Sequence, residues 1–220
     1  EYGGETPICD FRKVYKDLDP TIRAEFDAKG VKHIRNYSSP SGKGTKGFQL
    51  KNWADMFHTT DKNIIEQKCK DNDIICEWKE EDALRLINKN AAAKKHPITG
   101  EIAWFNHTQV FHVDAAVEEY HKIHKRQKRW ETFKYSMLLE LMTWYKKKTQ
   151  NPNELSMHVT FGDDSPIPDE YVEHLQDVIW KNMVIYPWKK GDIICLDNFS
   201  TSHGRLPYYG PREIMVCWTS

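Results

Sequence analysis

The chain has 220 residues, enough for one domain that buries most of its apolar surface. Lys plus Arg and Asp plus Glu both number 32, so no net charge draws it toward nucleic acid or a membrane surface. Aromatic residues make up 12%, eight of them Trp, which argues for a packed core, and the apolar runs are too short for a membrane-spanning helix.

Residues 10–29 read as a helix, because Val14, Leu18, Ile22 and Phe26 recur every four residues and Gly30 supplies a C-terminal stop. A short strand over 31–37 follows. The Gly/Lys/Ser-rich stretch 38–47 is a loop; it lacks the order of a phosphate-binding loop and reads as a segment flanking the active site. Thr60 and Asp61 cap a helix to about residue 72, with Ile64, Ile65 and Cys69 on one face. Strands are expected over 74–78, 83–88 and 102–105, with 91–99 a loop. The charged stretch 115–148 reads as one helix whose apolar face is Phe133, Met137, Leu138, Leu141, Met142 and Tyr145. A strand over 157–161 precedes a helix opened by Pro168 in its first turn, with Tyr171, Leu175, Val178 and Ile179 as its buried face. Strands over 193–196 and 213–218 close the chain.

The five cysteines, Cys9, Cys69, Cys76, Cys195 and Cys217, show no Cys-x-x-Cys spacing. An odd, unpatterned count suits reduced thiols in an intracellular, cytoplasmic setting, and Cys195 and Cys217 are expected in the core. Strands separated by irregular helical stretches exclude a regular βαβ alternation, so the pattern by itself implies α+β.

Four motifs carry the functional information. The chain opens with Glu1-Tyr2-Gly3-Gly4-Glu5-Thr6-Pro7. Residues 96–106 contain His96-Pro97-Ile98-Thr99-Gly100 and Trp104-Phe105-Asn106. Phe161-Gly162-Asp163-Asp164 follows, and near the end Asp197-Asn198 leads to His203 and, nine residues later, to Arg212. One His to bind a metal and one Arg to hold a carboxylate, on neighbouring strands, suit a non-haem iron oxygenase. In this order the motifs resemble the taurine dioxygenase/clavaminate synthase-like family of Fe(II)- and 2-oxoglutarate-dependent oxygenases, over nearly the whole chain. Asp164 departs from that family's Gly-Asp-Gly segment.

The resemblance implies a distorted double-stranded β-helix, a jelly roll, with residues 115–150 as a helical insertion in a single domain over 1–220. It implies an enzyme that uses Fe(II), 2-oxoglutarate and O2 to oxidise, by hydroxylation for example, a small amino-acid-like or carboxylate metabolite. By the same resemblance His203 is the distal iron ligand, Arg212 grips the remote carboxylate of 2-oxoglutarate, and Thr6 offers its hydroxyl to that carboxylate, while Gly3 and Gly4 admit the backbone to the site. Arg205 competes for the role of Arg212, and Asn106 faces either the cavity or a strand end. The family's other two iron ligands, a His-x-[Asp/Glu] pair, precede the Gly-Gly-x-Thr loop. The chain is therefore expected to be a C-terminal fragment with those ligands upstream of Glu1, inactive alone. A relative that keeps the fold only for binding is the alternative.

Two further groups are read as non-functional. His112-Val113-Asp114 could hold a metal from a strand, but its place in the chain is wrong and Asp114 suits a helix N-cap. The run 121–129 could touch RNA, yet balanced charge and the apolar residues after it favour a solvated helix without nucleic-acid binding. His121 and His124 lack a carboxylate partner for a second metal site. The sequence leaves oligomeric state open.

Overall fold

The computed structural model describes residues 2–44 and 51–217. The first half runs β1 (Tyr2–Gly3), β2 (Thr6–Asp10), α1 (Phe11–Asp17), α2 (Pro20–Lys29), β3 (Val31–Tyr37), α3 (Trp53–Phe57), α4 (Lys62–Asp71), β4 (Ile75–Trp78) and β5 (Leu84–Asn90). The second runs β6 (Ala93–Lys95), β7 (Ile102–Trp104), α5 (Thr108–Phe111), α6 (Ala115–Gln127), α7 (Trp130–Thr149) and β8 (Met157–Phe161). It ends with α8 (Asp169–Lys181), β9 (Met183–Tyr186), β10 (Thr201–His203) and β11 (Tyr208–Tyr209).

Every strand pairing among the described residues is antiparallel, and the fold is α+β. The largest sheet has the order β4-β5-β3-β8, and a second has β10-β2-β9. Two-stranded pairs β1-β11 and β6-β7 complete the set.

The main core lies where α1, α2 and α8 meet the sheets. Val14, Leu18 and Phe26, three members of the predicted four-residue repeat, are almost fully buried there. Phe26 meets the Trp104 ring edge-on at 4.9 Å and the Phe161 ring at 5.0 Å. Val172, Leu175, Val178 and Ile179 bring α8 onto the same cluster. A second core of Tyr37, Trp53, Ile65, Cys69 and Leu84 sits under α3 and α4.

Several expectations are corrected. The helix over 10–29 is two helices, because Asp19 accepts the amides of Thr21 and Ile22 and Pro20 begins a new helix behind that cap. The stretch 91–99 contains β6, and Ile64 of α4 is exposed while Ile65 and Cys69 are buried. Pro168 is the N-cap of α8 and not a member of its first turn. Residues 45–47 of the predicted loop lie outside the described residues. Residues 193–196 and 213–217 form no strand, and Cys195 and Cys217 are exposed rather than core. An apolar run becomes a strand only where another strand or a core face receives it, and Ile193 and Met215 stand 92% and 91% exposed. Asp164, the departure from Gly-Asp-Gly, takes φ +72, a conformation that glycine adopts without strain.

The long helix over 115–148 is a hairpin, α6 and α7, broken at Lys128 in the left-handed conformation. The residues α7 buries are Thr132, Ser136 and Thr143, small enough for close approach. Its predicted apolar face is exposed, with Met137, Leu138 and Leu141 at 50% or more.

This contrast predicts the response to mutation. Trp104→Ala should cost about 3–5 kcal/mol in urea unfolding, whereas Leu141→Ser should change stability by less than about 0.5 kcal/mol. A loss at Leu141 comparable to that at Trp104 would mean that the α7 face is covered.

Candidate active site

The chain's opening residues and its closing motif pair with one another. In β10, Thr201, Ser202 and His203 stand opposite Asp10, Cys9 and Ile8 of β2. The pairing continues past the strand: the Gly204 amide donates to the Pro7 carbonyl, Leu206 to Glu5, and Gly4 to Pro207. Gly3 and Tyr2 then meet Tyr208 and Tyr209 in β1-β11. Two motifs nearly 200 residues apart thus form one ladder. Gly3 takes φ +78, and a Cβ there would lie 2.2 Å from the Pro207 carbonyl oxygen, so only glycine fits.

This ladder positions the predicted residues. His203 is opposite Ile8, and directly opposed side chains share a face, as do residues two apart; His203, Ile8 and Thr6 therefore project from one side of the sheet. Thr6 is buried, and its Oγ1 accepts the Trp188 indole N–H at 2.6 Å. Its own hydrogen stays available to an acceptor. The Arg212 side chain lies over Gly4, 3.5 Å from where a Cβ would stand, and its guanidinium is 5.4 Å from the Tyr208 ring. Arg205 lies 5.3 Å from the same ring. Neither Glu213 nor Asp192 pairs with Arg212 among the described residues.

A third motif locks onto this one through His96. Its Nδ1 accepts the amides of Ile98 and Thr99, which leaves Nε2 to donate to Asp197 Oδ2 at 2.7 Å. Asp197 also accepts from the Ser200 hydroxyl and the Phe199 amide, closing the turn that launches β10. These bonds, the Ser200 hydroxyl first and the Phe199 amide next, hold the carboxyl down at about 2.

A cavity of about 530 Å³ opens between the two larger sheets, and His203 is among its walls. His33 on β3 and His107 before α5 also line it. Burial pushes His33 down to about 4 and lowers His107, so both imidazoles are neutral, the form that ligates metals. His33 Nε2 and Trp104 Nε1 are buried without a partner. Asn106 lines the cavity too, but its amide is used locally: it donates to the Ala92 carbonyl and accepts from Thr108. Thr6 and Arg212 are not among the lining residues, and neither is any Asp or Glu among the described residues. What His203, Thr6 and Arg212 share is the ladder, not one enclosed space.

The group His112, Asp114 and Asp169 is closer to a metal-sized cluster, its ligand atoms within 4.8 Å of one another. Its Asp114 occupies the N-cap of α6 yet makes no capping bond, contrary to expectation. The Lys147 ammonium bridges the two carboxylates at 2.6 and 2.8 Å, so a cation already neutralises them. Burial lowers the His112 imidazole against the pull of both acids. None of the three lines the cavity with His203. In the basic run, His121 bonds Glu140 at 2.5 Å, Lys122 pairs with Asp177, and His124 bonds Thr132.

The ladder of glycine loop and terminal His, braced by His96 and Asp197, is the framework of an oxygenase-type domain. The chain belongs to the Taurine catabolism dioxygenase TauD, TfdA family, which it matches over residues 1–218. It is 32% identical over 214 residues to the dapdiamide synthesis protein DdaC of Enterobacter agglomerans, a match covering 97% of this chain and 56% of that protein. A clavaminate synthase-like protein of Arabidopsis thaliana is 27% identical over 224 residues, again 97% of this chain and 56% of the relative. The chain thus spans about half the length of these relatives.

Sequence reasoning missed His33, Arg35 and Lys94, which line the cavity without belonging to any motif. The alternation of β3 could have placed His33 and Arg35 on one face, but not which face is inward.

The Asp197 carboxyl lies below its ordinary value of 3.8, so its contribution to stability is full above that value and is lost as pH falls toward 2. Asp197→Asn should therefore be less stable than the native protein at about pH 7, with the gap closing between about pH 4 and pH 2 in chemical denaturation. A gap independent of pH would mean that the charge of Asp197 plays no part.

Proposed function

We propose that the full-length protein is an Fe(II)- and 2-oxoglutarate-dependent oxygenase that oxidises a small amino-acid-like or carboxylate metabolite with O2. The observation that carries this reading is the ladder that joins the Gly3-Gly4-Glu5-Thr6 loop to the segment holding His203 and Arg212. Family membership and the names of the two relatives support it. In this reading the two larger sheets are the walls of a jelly roll.

The residues present fit the cofactors in part. His203 is an imidazole on the cavity wall, and Gly4 leaves room beside Arg212 that a Cβ would reduce. The Arg212 guanidinium suits a carboxylate as a planar fork, and the Thr6 hydroxyl is free to donate. Among the described residues the cavity lining supplies no carboxylate, and the remaining iron ligands are proposed to come from a segment preceding Glu1, the order that the resemblance implies. When bound, iron and 2-oxoglutarate would supply the oxidising power, with succinate and CO2 as coproducts. The chain's own task is to hold the metal at His203, orient the 2-oxoglutarate carboxylate at Arg212 and Thr6, and keep the substrate in the cavity. That no carboxylate lines the cavity among the described residues favours one alternative, a relative that keeps the fold for binding.

The decisive measurement is succinate formation from 2-oxoglutarate by the full-length protein with Fe(II) and O2, with and without His203→Ala. The oxygenase reading expects turnover that His203→Ala abolishes together with Fe(II) affinity. Absence of any turnover and of any effect of His203→Ala on metal binding would favour the binding module.

Two substitutions refine the roles. Arg212→Lys keeps the charge but loses the fork, and should weaken 2-oxoglutarate by about 1–3 kcal/mol while leaving Fe(II) affinity unchanged. If 2-oxoglutarate affinity does not move, Arg205 becomes the clamp. Asp169→Asn should leave Fe(II) titrations unaltered, because Lys147 already neutralises that cluster; a large loss there would relocate the metal to His112, Asp114 and Asp169.

A further inference from the structure

Among the described residues, the cavity between the sheets carries two cations, Arg35 and Lys94, and no anion in its walls. We propose that it receives a small anionic molecule with an apolar body, its carboxylate held by Arg35, Lys94 and the Trp104 indole N–H. That this molecule is the oxygenase's substrate rests on the function proposed above; its binding does not.

Arg35 lies two residues beyond His33 on β3 and so shares its face of the sheet. It is half-buried, and no carboxylate pairs with it among the described residues. Cations on the opposite face of the same sheet are paired: Lys32 with Asp164, and Arg85 with Glu154 at 2.5 Å. The Tyr37 ring stands 5.1 Å from the Arg35 guanidinium and neutralises nothing. Lys94, from β6, places its ammonium 4.8 Å from the Phe105 ring and likewise has no acid among the described residues.

Trp104 gives a second and independent sign. It is only 1% exposed, and its Nε1–H has no acceptor among the described residues. A buried donor in a cavity wall costs free energy until an acceptor arrives. His33 Nε2 is unpartnered in the same wall. A cationic ligand would meet two like charges and no acid among the described residues, whereas a carboxylate would find two cations and an unpartnered donor among the lining residues.

Apolar side chains make up one part of the wall, beside the asparagines Asn88, Asn90, Asn106 and Asn198. Phe11, Phe105, Phe111 and Phe199 line the cavity, with Phe105 and Phe199 in contact at 4.7 Å between ring centres. Such walls suit the apolar body of a small ligand, and about 530 Å³ is the size of an ordinary small-molecule site. Because 2-oxoglutarate also carries carboxylates, the test must separate it from the substrate.

The test is ligand-observed NMR on the metal-free full-length protein, with phenylacetate and its neutral isostere phenylacetamide. The native protein should bind phenylacetate roughly tenfold more tightly or better, the effect of one charge-assisted bond. Arg35→Gln and Lys94→Gln should each remove most of that preference while phenylacetamide still binds, which also shows that the variants are folded. Arg35→Lys should restore part of it. Lys94 is exposed, so Lys94→Gln keeps the test valid even if Arg35→Gln fails to fold. Equal affinity for the two probes, or a preference untouched in Lys94→Gln and any folded Arg35 variant, overturns the proposal. Displacement of phenylacetate by 2-oxoglutarate that depends on Arg35 and ignores Arg212→Lys also overturns it, because the site would then be that of the cosubstrate. Failure of succinate formation, by contrast, counts against the oxygenase reading and leaves the anion preference as measured.

Discussion

The rest of the molecule depends on the antiparallel pairing of residues 2–11 with residues 200–209. The pairing begins where Phe11 donates to the Ser200 carbonyl and ends at β1-β11. It is as non-local as contacts in this chain can be, and loop closure over such a separation must be offset by burial elsewhere. That burial comes from Cys9, Phe11 and Val14, which enter the main core directly behind the ladder. Gly3 is the tight point, because the Pro207 carbonyl occupies the space of any side chain there.

Once the ladder forms, the other motif residues follow from local bonds. Asp197 closes its own turn through Ser200 and Phe199, and His96 fixes that turn to the loop after β6. The His96 ring is held from both sides, by two backbone amides at Nδ1 and by Asp197 at Nε2. It also packs edge-on against Phe199, whose ring meets Phe105. Three of the four motifs are thereby drawn to one end of the fold, beside a cavity whose charged walls are cationic.

Electrostatic pairing separates the two clusters that could hold a metal. His112, Asp114 and Asp169 satisfy the spacing, but Lys147 already supplies their counter-charge. The cavity histidines have the opposite character: burial keeps His33 and His107 neutral, and no acid stands near enough among the described residues to raise them. Elsewhere α7 turns small residues toward α6 and large apolar ones outward, so its periodicity reports helix but not which side is covered.

The sequence alone determined the local elements and the family. Four-residue apolar spacing placed Val14, Leu18 and Phe26 in the core, Asp61 was legible as a cap because its carboxylate has a defined backbone target, and the ordered motifs put His203, Arg212 and Thr6 forward as candidate site residues. These signals are local, written in residues a few positions apart. Tertiary structure decided the rest. Residues 193–196 and 213–217 are apolar enough for strands, yet strand formation needs a neighbour to accept its hydrogen bonds. Pro20 divided one predicted helix, and Lys128 divided another. His33, Arg35 and Lys94 carry no motif and became neighbours of His203 only when β3, β6 and β10 met around one cavity. Which face of a strand turns inward depends on what packs against it, and that partner lies far away in the chain.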